Sequence, residues 1–315
     1  MRKTIEPDFM ALNAGKADFN AIYAQPDPRT YFATLGGLHY MIPDVARPVF
    51  DQVIGYLSDR LGRPLTVLDL GCSYGVNAAL LRHGVGTDAL RARYADPALT
   101  RISTEALAGY DGHYFASWPK RSDVRFIGLD VSKPATDYAL RVGLLDDVIT
   151  TDLEHGALSA TDAHKVRRAD LIISTGCIGY VTERTFERLL AAFSPDSYPW
   201  IASFVLRMFP FVTIDKTLAN HDLITEKLPG ATFVQRRFRD EAEASEALAA
   251  LHALGIEASG KESEGLYHAE FFLSRPAFGV GDVPLRDIVS IASGAGRLNS
   301  SALRVMSRGR QHAAA

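Results

Sequence analysis

The fold is decided by the stretch Val67-Leu68-Asp69-Leu70-Gly71-Cys72-Ser73-Tyr74-Gly75-Val76-Asn77. An apolar strand carries an acid near its end, a turn with two glycines follows, and a helix begins at about Asn77. Glycine lets the backbone approach a ligand closely, and the first turn of a helix offers unpaired N–H groups. The stretch therefore predicts a corner at which an anion or a nucleoside binds.

Apolar segments and helical patterns alternate along the chain beyond this corner. The predicted strands are Leu65–Leu70, Val124–Leu129, 147–151, 169–174 and Trp200–Leu206, followed by 232–238 and 266–273. Nearly continuous apolar strands separated by helices indicate a parallel sheet that is covered on both faces. The last two strands alternate more strongly, and helices are predicted before and between them, over residues 215–228 and 240–254.

Three segments lie outside this alternation. Residues 1–63 are predicted to form an N-terminal cap, which contains an amphipathic helix over residues 44–61. Residues 83–123 separate the first helix of the alternating part from its second strand, and they predict a helical insertion because structureless loops of that length are uncommon in compact domains. Residues 276–315 are rich in Gly, Ser and Arg and predict a loosely attached tail.

Composition excludes several classes of protein. The chain has 315 residues, a formal net charge of -3 and 47% hydrophobic residues, which does not fit the basic surface of a nucleic-acid-binding protein. It has no apolar run of about 18 residues, so no membrane partner is expected. Two cysteines, Cys72 and Cys177, cannot form a disulfide framework. With no long apolar stretch at the N-terminus, a cytoplasmic location is expected.

Acids stand near the carboxyl ends of the first three strands, at Asp69, Asp130 and Asp152. Ligands of doubly wound sheets bind outside these ends. An acid after the second strand can accept both ribose hydroxyls of a nucleoside, and one after the third strand can accept the exocyclic amine of adenine. Asp69 would lie near a cationic group such as an amino-acid ammonium. The three acids together predict a nucleoside that carries an amino-acid tail.

This ordered set resembles the class I S-adenosylmethionine-dependent methyltransferases, in their small-molecule branch. The glycine motif matches as Asp69-x-Gly71-x-Ser73-x-Gly75, and the acids after strands two and three match at Asp130 and Asp152. Residues 170–181 match the segment that lines the methyl-transfer site in that family. The resemblance covers about residues 64–275 and implies S-adenosyl-L-methionine as the cofactor.

The resemblance also implies a fold class and a set of binding residues. The fold is α/β: a doubly wound, Rossmann-like, seven-stranded sheet with an antiparallel last strand, joined to the N-terminal helical cap and the helical insertion. Residues 64–275 would form the cofactor-binding domain. The implied cofactor-binding residues are Tyr31, Asp69, Gly71, Cys72, Ser73, Tyr74, Gly75, Asn77, Asp130, Val131, Ser132, Asp152, Leu153, Thr175 and Gly176.

Ser73 departs from the family pattern, because a glycine usually occupies that position. One interpretation, which we favour, is that serine tolerates the turn and that its hydroxyl caps the following helix. The other is that the hydroxyl contacts the methionine end of the cofactor.

Two alternative functions remain open. A nicotinamide-dependent oxidoreductase would also use a strand, a glycine turn and a helix, but its G-x-G-x-x-G pattern is absent, and Asp69 would repel a pyrophosphate. The second alternative is a protein that binds S-adenosylmethionine without methylating anything, as a scaffold or as a different enzyme.

The candidate catalytic residues are His39, Tyr40, His113 and Arg207. His39 and Tyr40 lie in the aromatic N-terminal segment, which predicts a cover over the cofactor, and Arg207 ends the fifth strand and could anchor an acidic substrate. The segment after that strand contains no acid, so no metal is predicted. The cap and the insertion are expected to build the pocket for a small-molecule acceptor, with methylation at oxygen favoured over nitrogen and carbon. A homodimer is a possible assembly.

Overall fold

The structure is a computed structural model, and it describes residues 20–280 and 283–291. The strands are β1 (Leu65–Leu70), β2 (Val124–Leu129), β3 (Asp147–Ile149), β4 (Leu171–Thr175), β5 (Trp200–Leu206), β6 (Leu223–Lys227), β7 (Phe233–Arg237) and β8 (Leu266–Pro276). The helices are α1 (Asn20–Tyr23), α2 (Arg29–Gly37), α3 (Ile42–Leu61), α4 (Val76–His83), α5 (Thr87–Tyr94), α6 (Pro97–Thr100), α7 (Thr104–Ala116), α8 (Lys133–Arg141), α9 (Ala160–Val166), α10 (Glu183–Leu190), α11 (Val212–Ala219), α12 (Glu241–Ala253), α13 (Ala277–Val280) and α14 (Leu285–Ile288).

The strands form one mixed sheet in the order β3-β2-β1-β4-β5-β8-β6, and β7 also pairs with β8. The first five strands are parallel, whereas β8 runs antiparallel to all of its neighbours. β6 pairs with the second half of β8, and β7 pairs with the first half, so the two share one position at the edge. The predicted α/β fold with an antiparallel last strand is confirmed, but the sheet has eight strands in seven positions and not the seven strands that were expected.

The segment before β7 differs from the sequence prediction. A single helix was predicted over residues 215–228, but α11 ends at Ala219 and residues Leu223–Lys227 form a strand. The chain turns at Asp222, whose φ of 55° takes it out of the helical region. Leu223 is buried while Ile224 is exposed, as expected for an edge strand that covers β8 on one face.

The core lies on both faces of the sheet because neighbouring strand residues point to opposite sides. Val67 belongs to the cluster that α3 covers with Phe50, and Leu68 belongs to the opposite cluster, which α10 covers with Phe186. Helices on both faces are what nearly continuous apolar strands require.

The described part of the C-terminal segment is docked rather than loose, which corrects the predicted tail. Arg275 donates to the carbonyl of Val283, and the backbone N–H of Leu285 donates to Glu226. Leu285 and Ile288 are buried against the core. Residues 292–315, like residues 1–19 of the predicted cap, lie outside the described residues.

No helix in the described ranges is both long enough and apolar enough to cross a membrane.

Candidate functional site

The site is a cavity of about 620 Å³ at the carboxyl ends of the parallel strands. The cavity lies at the point where the strand order reverses. β2 and β4 lie on opposite sides of β1, and the loops that follow these two strands diverge there. The loops after β1, β2, β3 and β4 all line it, and residues of the N-terminal segment cover it. The lining residues that carry the reasoning below are Tyr23, Tyr31, Tyr40, Ser73, Asn77, Asp130, Asp152, Glu154, Thr175 and Gly176.

The turn after β1 places backbone against the cavity. Gly71 has a φ of 76°, and a Cβ built on it would lie 2.6 Å from the Cβ of Cys177. Ser73 also has a positive φ, 48°, which explains why glycine suits this position. Its hydroxyl is buried without a hydrogen-bond partner, and α4 receives no side-chain cap. The capping interpretation of Ser73 is therefore wrong, and the hydroxyl is free to meet a ligand.

Asp130 joins two of the loops that line the cavity. One carboxylate oxygen accepts the backbone N–H of Ser73 at 2.9 Å, and the other accepts that of Ser132 at 2.9 Å. Burial raises the pKa of this carboxyl above its usual value, against the effect of the two N–H donors. Each carboxylate oxygen can accept about two hydrogen bonds, so each can still accept one more.

Asp69 lies behind the cavity wall, not in it. It is 0% exposed, and one oxygen accepts the side-chain amide of Asn77 at 2.9 Å while the other has no partner. The same amide of Asn77 donates to the hydroxyl of Thr175 at 3.1 Å. Asn77 and Thr175 both line the cavity, so Asp69 acts on it by orienting them and through its charge.

Asp152 lines the cavity at the end of β3. Its two oxygens accept the backbone N–H of Glu154 and pair with His155, both at about 2.8 to 2.9 Å. The side chain of Asp152 is half exposed, so it can reach a polar group near the mouth. The neighbouring lining residues Val131 and Leu153 are apolar and offer surface for a flat ring.

The wall beyond Gly176 is made of tyrosines. Gly176 has a φ of 71°, and a Cβ there would lie 2.8 Å from the Tyr40 hydroxyl, so the phenol passes directly over this glycine. Tyr23 and Tyr31 line the cavity next to it. Burial raises the pKa of Tyr40 well above its usual value. Neither Tyr31 nor Tyr40 has a hydroxyl partner among the described residues.

Other predicted residues lie away from the cavity. His39 and His113 are exposed and do not line it. Arg207 is buried in an ion pair with Glu262 and also donates to the carbonyl of Glu257, so it is not available to a substrate. Gly75 packs against Ala139, and a Cβ on it would lie 3.1 Å from that side chain.

Some residues at the site were missed. Tyr23 and Glu154 line the cavity, and Gln235 of β7 lies behind Gly176, its amide nitrogen 3.6 Å from a Cβ built there. Tyr23 lies before the aromatic stretch that begins at Tyr31, so that pattern did not point to it. Gln235 is 2% exposed in β7 and carries a buried side-chain oxygen without a partner, but nothing in the sequence around it marks it as a site residue.

The insertion does not line the cavity, contrary to the sequence prediction. It supports the N-terminal segment instead: Arg29 donates to the carbonyls of Leu99, Thr100 and Ile102. Asp27 pairs with Arg29 and accepts the hydroxyl of Thr104. The pocket walls therefore come from the sheet loops and the N-terminal segment.

No group of three or more His, Cys, Asp or Glu side chains in the described ranges is arranged to hold a metal ion.

No protein-family model and no curated protein sequence matches this chain. Solved structures of low identity are similar to it. One is the plantazolicin methyltransferase BpumL in complex with a pentazolic desmethylPZN analog and SAH, at 13% identity and a TM-score of 0.41 over 86% of this chain and 100% of that one. The magnesium protoporphyrin IX methyltransferase ChlM from Synechocystis with bound SAM has 14% identity and a TM-score of 0.35 over 73% and 79%.

A TehB-like SAM-dependent methyltransferase from Corynebacterium glutamicum has 18% identity and a TM-score of 0.31 over 70% of this chain and 85% of that one. These likenesses are remote, and the geometry of the site itself carries the function proposed below.

Proposed function

We propose that the protein is an S-adenosylmethionine-dependent methyltransferase that acts on a small molecule. The observation that carries this proposal is Asp130, which lines the cavity and joins the glycine turn to the loop after β2 through one hydrogen bond to each carboxylate oxygen. That arrangement suits the two hydroxyls of a ribose. Asp152, one strand further, suits an exocyclic amine, and Val131 and Leu153 suit the ring that carries it.

The residues present fit the remainder of the cofactor. The buried hydroxyl of Ser73, which has no partner, can bond to the amino-acid end, and Asn77 and Thr175 present oriented polar groups beside it. Burial raises the pKa of Asp69 behind them to about 7, and its ionised form favours a cation in this half of the cavity. When bound, the cofactor would supply an electrophilic methyl group. A cavity of about 620 Å³ falls within the usual range of roughly 300 to 1,000 Å³ for ligand sites.

The acceptor would lie against the tyrosine wall over Gly176. Planar or apolar acceptors suit Tyr23, Tyr31 and Tyr40, which offer ring faces and hydroxyl donors. Positioning and exclusion of water can supply much of the rate enhancement of a transfer between two bound reactants. The chain's part in the reaction is therefore to orient the acceptor against the donor.

The cavity also bears on the atom that is methylated. Every carboxylate oxygen among the described lining residues already accepts a hydrogen bond: those of Asp130 from backbone, those of Asp152 from backbone and His155, and those of Glu154 from Thr182 and Thr185. Tyr40 keeps its proton at neutral pH because its pKa is raised. The oxygens of Asp130 and Asp152 can each still accept a second hydrogen bond and the described lining also includes His155, so the cavity can serve acceptors that lose a proton, and we favour methylation at oxygen over nitrogen and carbon.

Calorimetry tests the cofactor. We expect S-adenosylmethionine and S-adenosylhomocysteine to bind, and NADH and NADPH to bind far more weakly. Tighter nicotinamide binding would instead identify an oxidoreductase.

Transfer of a labelled methyl group to a panel of carboxylates, heteroaromatic amines and phenols then tests the activity. Binding of the cofactor without transfer to any member would favour a scaffold.

Replacing Tyr40 with phenylalanine should lower kcat/KM for the acceptor by about 10- to 100-fold, the cost of losing one hydrogen bond to a charged or polarised group. The affinity for S-adenosylmethionine should change little, because the ring and its packing remain. Steady-state kinetics of the labelled-methyl assay measure both quantities. Tyr56→Phe, a half-buried tyrosine stacked on Trp200, is the matched control and should behave as wild type. An equal loss of kcat/KM in both variants would show that the Tyr40 hydroxyl does not contact the acceptor.

A further inference from the structure

Residues 20–25 form a short flap over the cavity. Tyr23 and Ala24 line the cavity from above, and Ile22 is buried in the main apolar cluster. Tyr23 packs its ring against Tyr31 at a centroid distance of 5.8 Å, so the flap also shapes the tyrosine wall. A ligand in the cavity is therefore covered as long as the flap is in place.

Side chains from two cavity loops hold the backbone of the flap. The Tyr74 hydroxyl lies 2.9 Å from the carbonyl of Ile22 and 2.8 Å from that of Gln25. The Ser132 hydroxyl donates to the carbonyl of Tyr23. Tyr74 was predicted to contact the cofactor, but it does not line the cavity, and its hydroxyl is engaged with the flap.

The two loops that carry these donors are tied together by Asp130. Its carboxylate accepts the backbone N–H of Ser73, the residue before Tyr74, and the backbone N–H of Ser132 itself. The group that faces the ribose in the proposed function therefore also fixes the positions of the flap's two donors.

The chain is anchored just after the C-terminal end of the flap. Asp27 and Arg29 are fixed to the insertion through Thr104 and three backbone carbonyls. Within the part of the chain that the structure describes, the hydrogen bonds that tie the flap backbone to the cavity loops are those of Tyr74 and Ser132. Among the described contacts, opening at residues 20–25 breaks these hydrogen bonds and the packing of Ile22 and Tyr23.

We propose that Tyr74 and Ser132 form a latch that holds the flap closed, and that release of this latch sets the rate at which the cofactor enters and leaves. Tyr74 is a positioning residue in this scheme, since it acts through the flap and does not touch the ligand. The inference rests on the proposed function only for the identity of the ligand whose exchange is controlled.

Tyr74→Phe tests the latch, because it keeps the ring, which packs at 5.6 Å from Tyr31 and 6.3 Å from Tyr138, and removes the hydroxyl. Loss of about 1.4 kcal/mol of hydrogen bonding corresponds to roughly a tenfold change in an equilibrium. We expect amide hydrogen exchange over residues 21–25 of the ligand-free protein to speed up about tenfold. Stopped-flow dissociation of S-adenosylhomocysteine should speed up by a similar factor, while the midpoint of urea unfolding moves little.

Tyr198→Phe is the matched control, since it removes a hydroxyl that pairs with His221 far from the flap. It should leave both rates unchanged. Unchanged exchange over residues 21–25 in Tyr74→Phe would overturn the latch, and faster exchange with unchanged ligand dissociation would overturn its control of the cofactor. Failure of the wild-type protein to bind S-adenosylhomocysteine would overturn the proposed function and this control of the cofactor, and the exchange comparison in the free protein would still decide whether the latch exists.

Discussion

Changing Asp130 to asparagine is expected to weaken the binding of S-adenosylmethionine by about 100-fold or more. Asp130 lines the cavity, both of its carboxylate oxygens accept backbone N–H groups, and in the proposed binding mode each also accepts one ribose hydroxyl. An amide keeps only one acceptor oxygen, and its NH₂ group would face the N–H of either Ser73 or Ser132. Hydrogen bonds to charged groups contribute about 1.5 to 3 kcal/mol each, so the loss of two ribose contacts exceeds the roughly 2.7 kcal/mol of a 100-fold change.

Isothermal titration calorimetry with S-adenosylmethionine, S-adenosylhomocysteine and adenosine measures this loss. All three ligands contain the ribose, so all three should lose affinity by a similar factor. Asp123→Asn removes the same charge from a carboxyl that pairs with Arg121 outside the cavity, and it should leave binding intact. If adenosine bound equally well to wild type and Asp130→Asn, the ribose would have to lie elsewhere, and the proposed orientation of the cofactor would be wrong.

The part of the candidate site at the strand ends could be located from the sequence, because strand ends are local features. Apolar runs that end at Asp130 and Asp152 locate two strand ends, and parallel strands must bring those ends to one edge of the sheet. The glycine turn follows in the same way, since Gly71 and Ser73 need a positive φ wherever this strand meets this helix. These residues line the cavity without help from distant parts of the chain.

The residues that cover the cavity could not be predicted with the same success, because their positions depend on packing between distant segments of the chain. Tyr74 lies inside the predicted motif, yet its hydroxyl reaches a flap about 50 residues earlier in the chain. Gln235 approaches Gly176 from β7, and the insertion supports the N-terminal segment rather than the pocket. The role of Arg207 could not be predicted for the same reason, because its ion-pair partner Glu262 lies in a turn far along the chain.

We expect the stability of the folded protein to fall as pH rises, because of Asp69. Burial is the main cause that raises the pKa of this carboxyl to about 7, the charge of Asp130 raises it further, and the amide of Asn77 opposes the shift. The unfolded chain releases the proton near pH 3.8, the value of an exposed aspartate. Between about pH 4 and pH 7 the folded state therefore holds a proton that the unfolded state has lost. Stability contributed by Asp69 must fall as pH rises through this window and stay constant on either side of it.

The size of this fall is about 4 kcal/mol, at roughly 1.36 kcal/mol for each pKa unit. Asp69→Asn removes the titrating group while its side-chain oxygen can still accept the amide of Asn77, so the variant should lack this part of the pH dependence. Urea unfolding of the ligand-free proteins at pH 4.5, 6 and 7.5 measures the difference. Asp123→Asn, at a carboxyl whose pKa is lowered chiefly by Arg121, should retain the fall seen in wild type. An Asp69→Asn variant that lost stability with pH as steeply as wild type would place the titration on another group.

The same buried carboxyl links pH to cofactor binding. A cationic ligand beside Asn77 and Thr175 stabilises the ionised form of Asp69, so binding below pH 7 must release a proton from this group. The affinity of wild type for S-adenosylmethionine should therefore rise between pH 5.5 and 7.5, by up to about tenfold per pH unit. In Asp69→Asn the affinity should be lower and nearly independent of pH over this range. Calorimetry in buffers of different ionisation enthalpy counts the released proton directly, and a wild-type protein that released none would show that the cation does not sense Asp69.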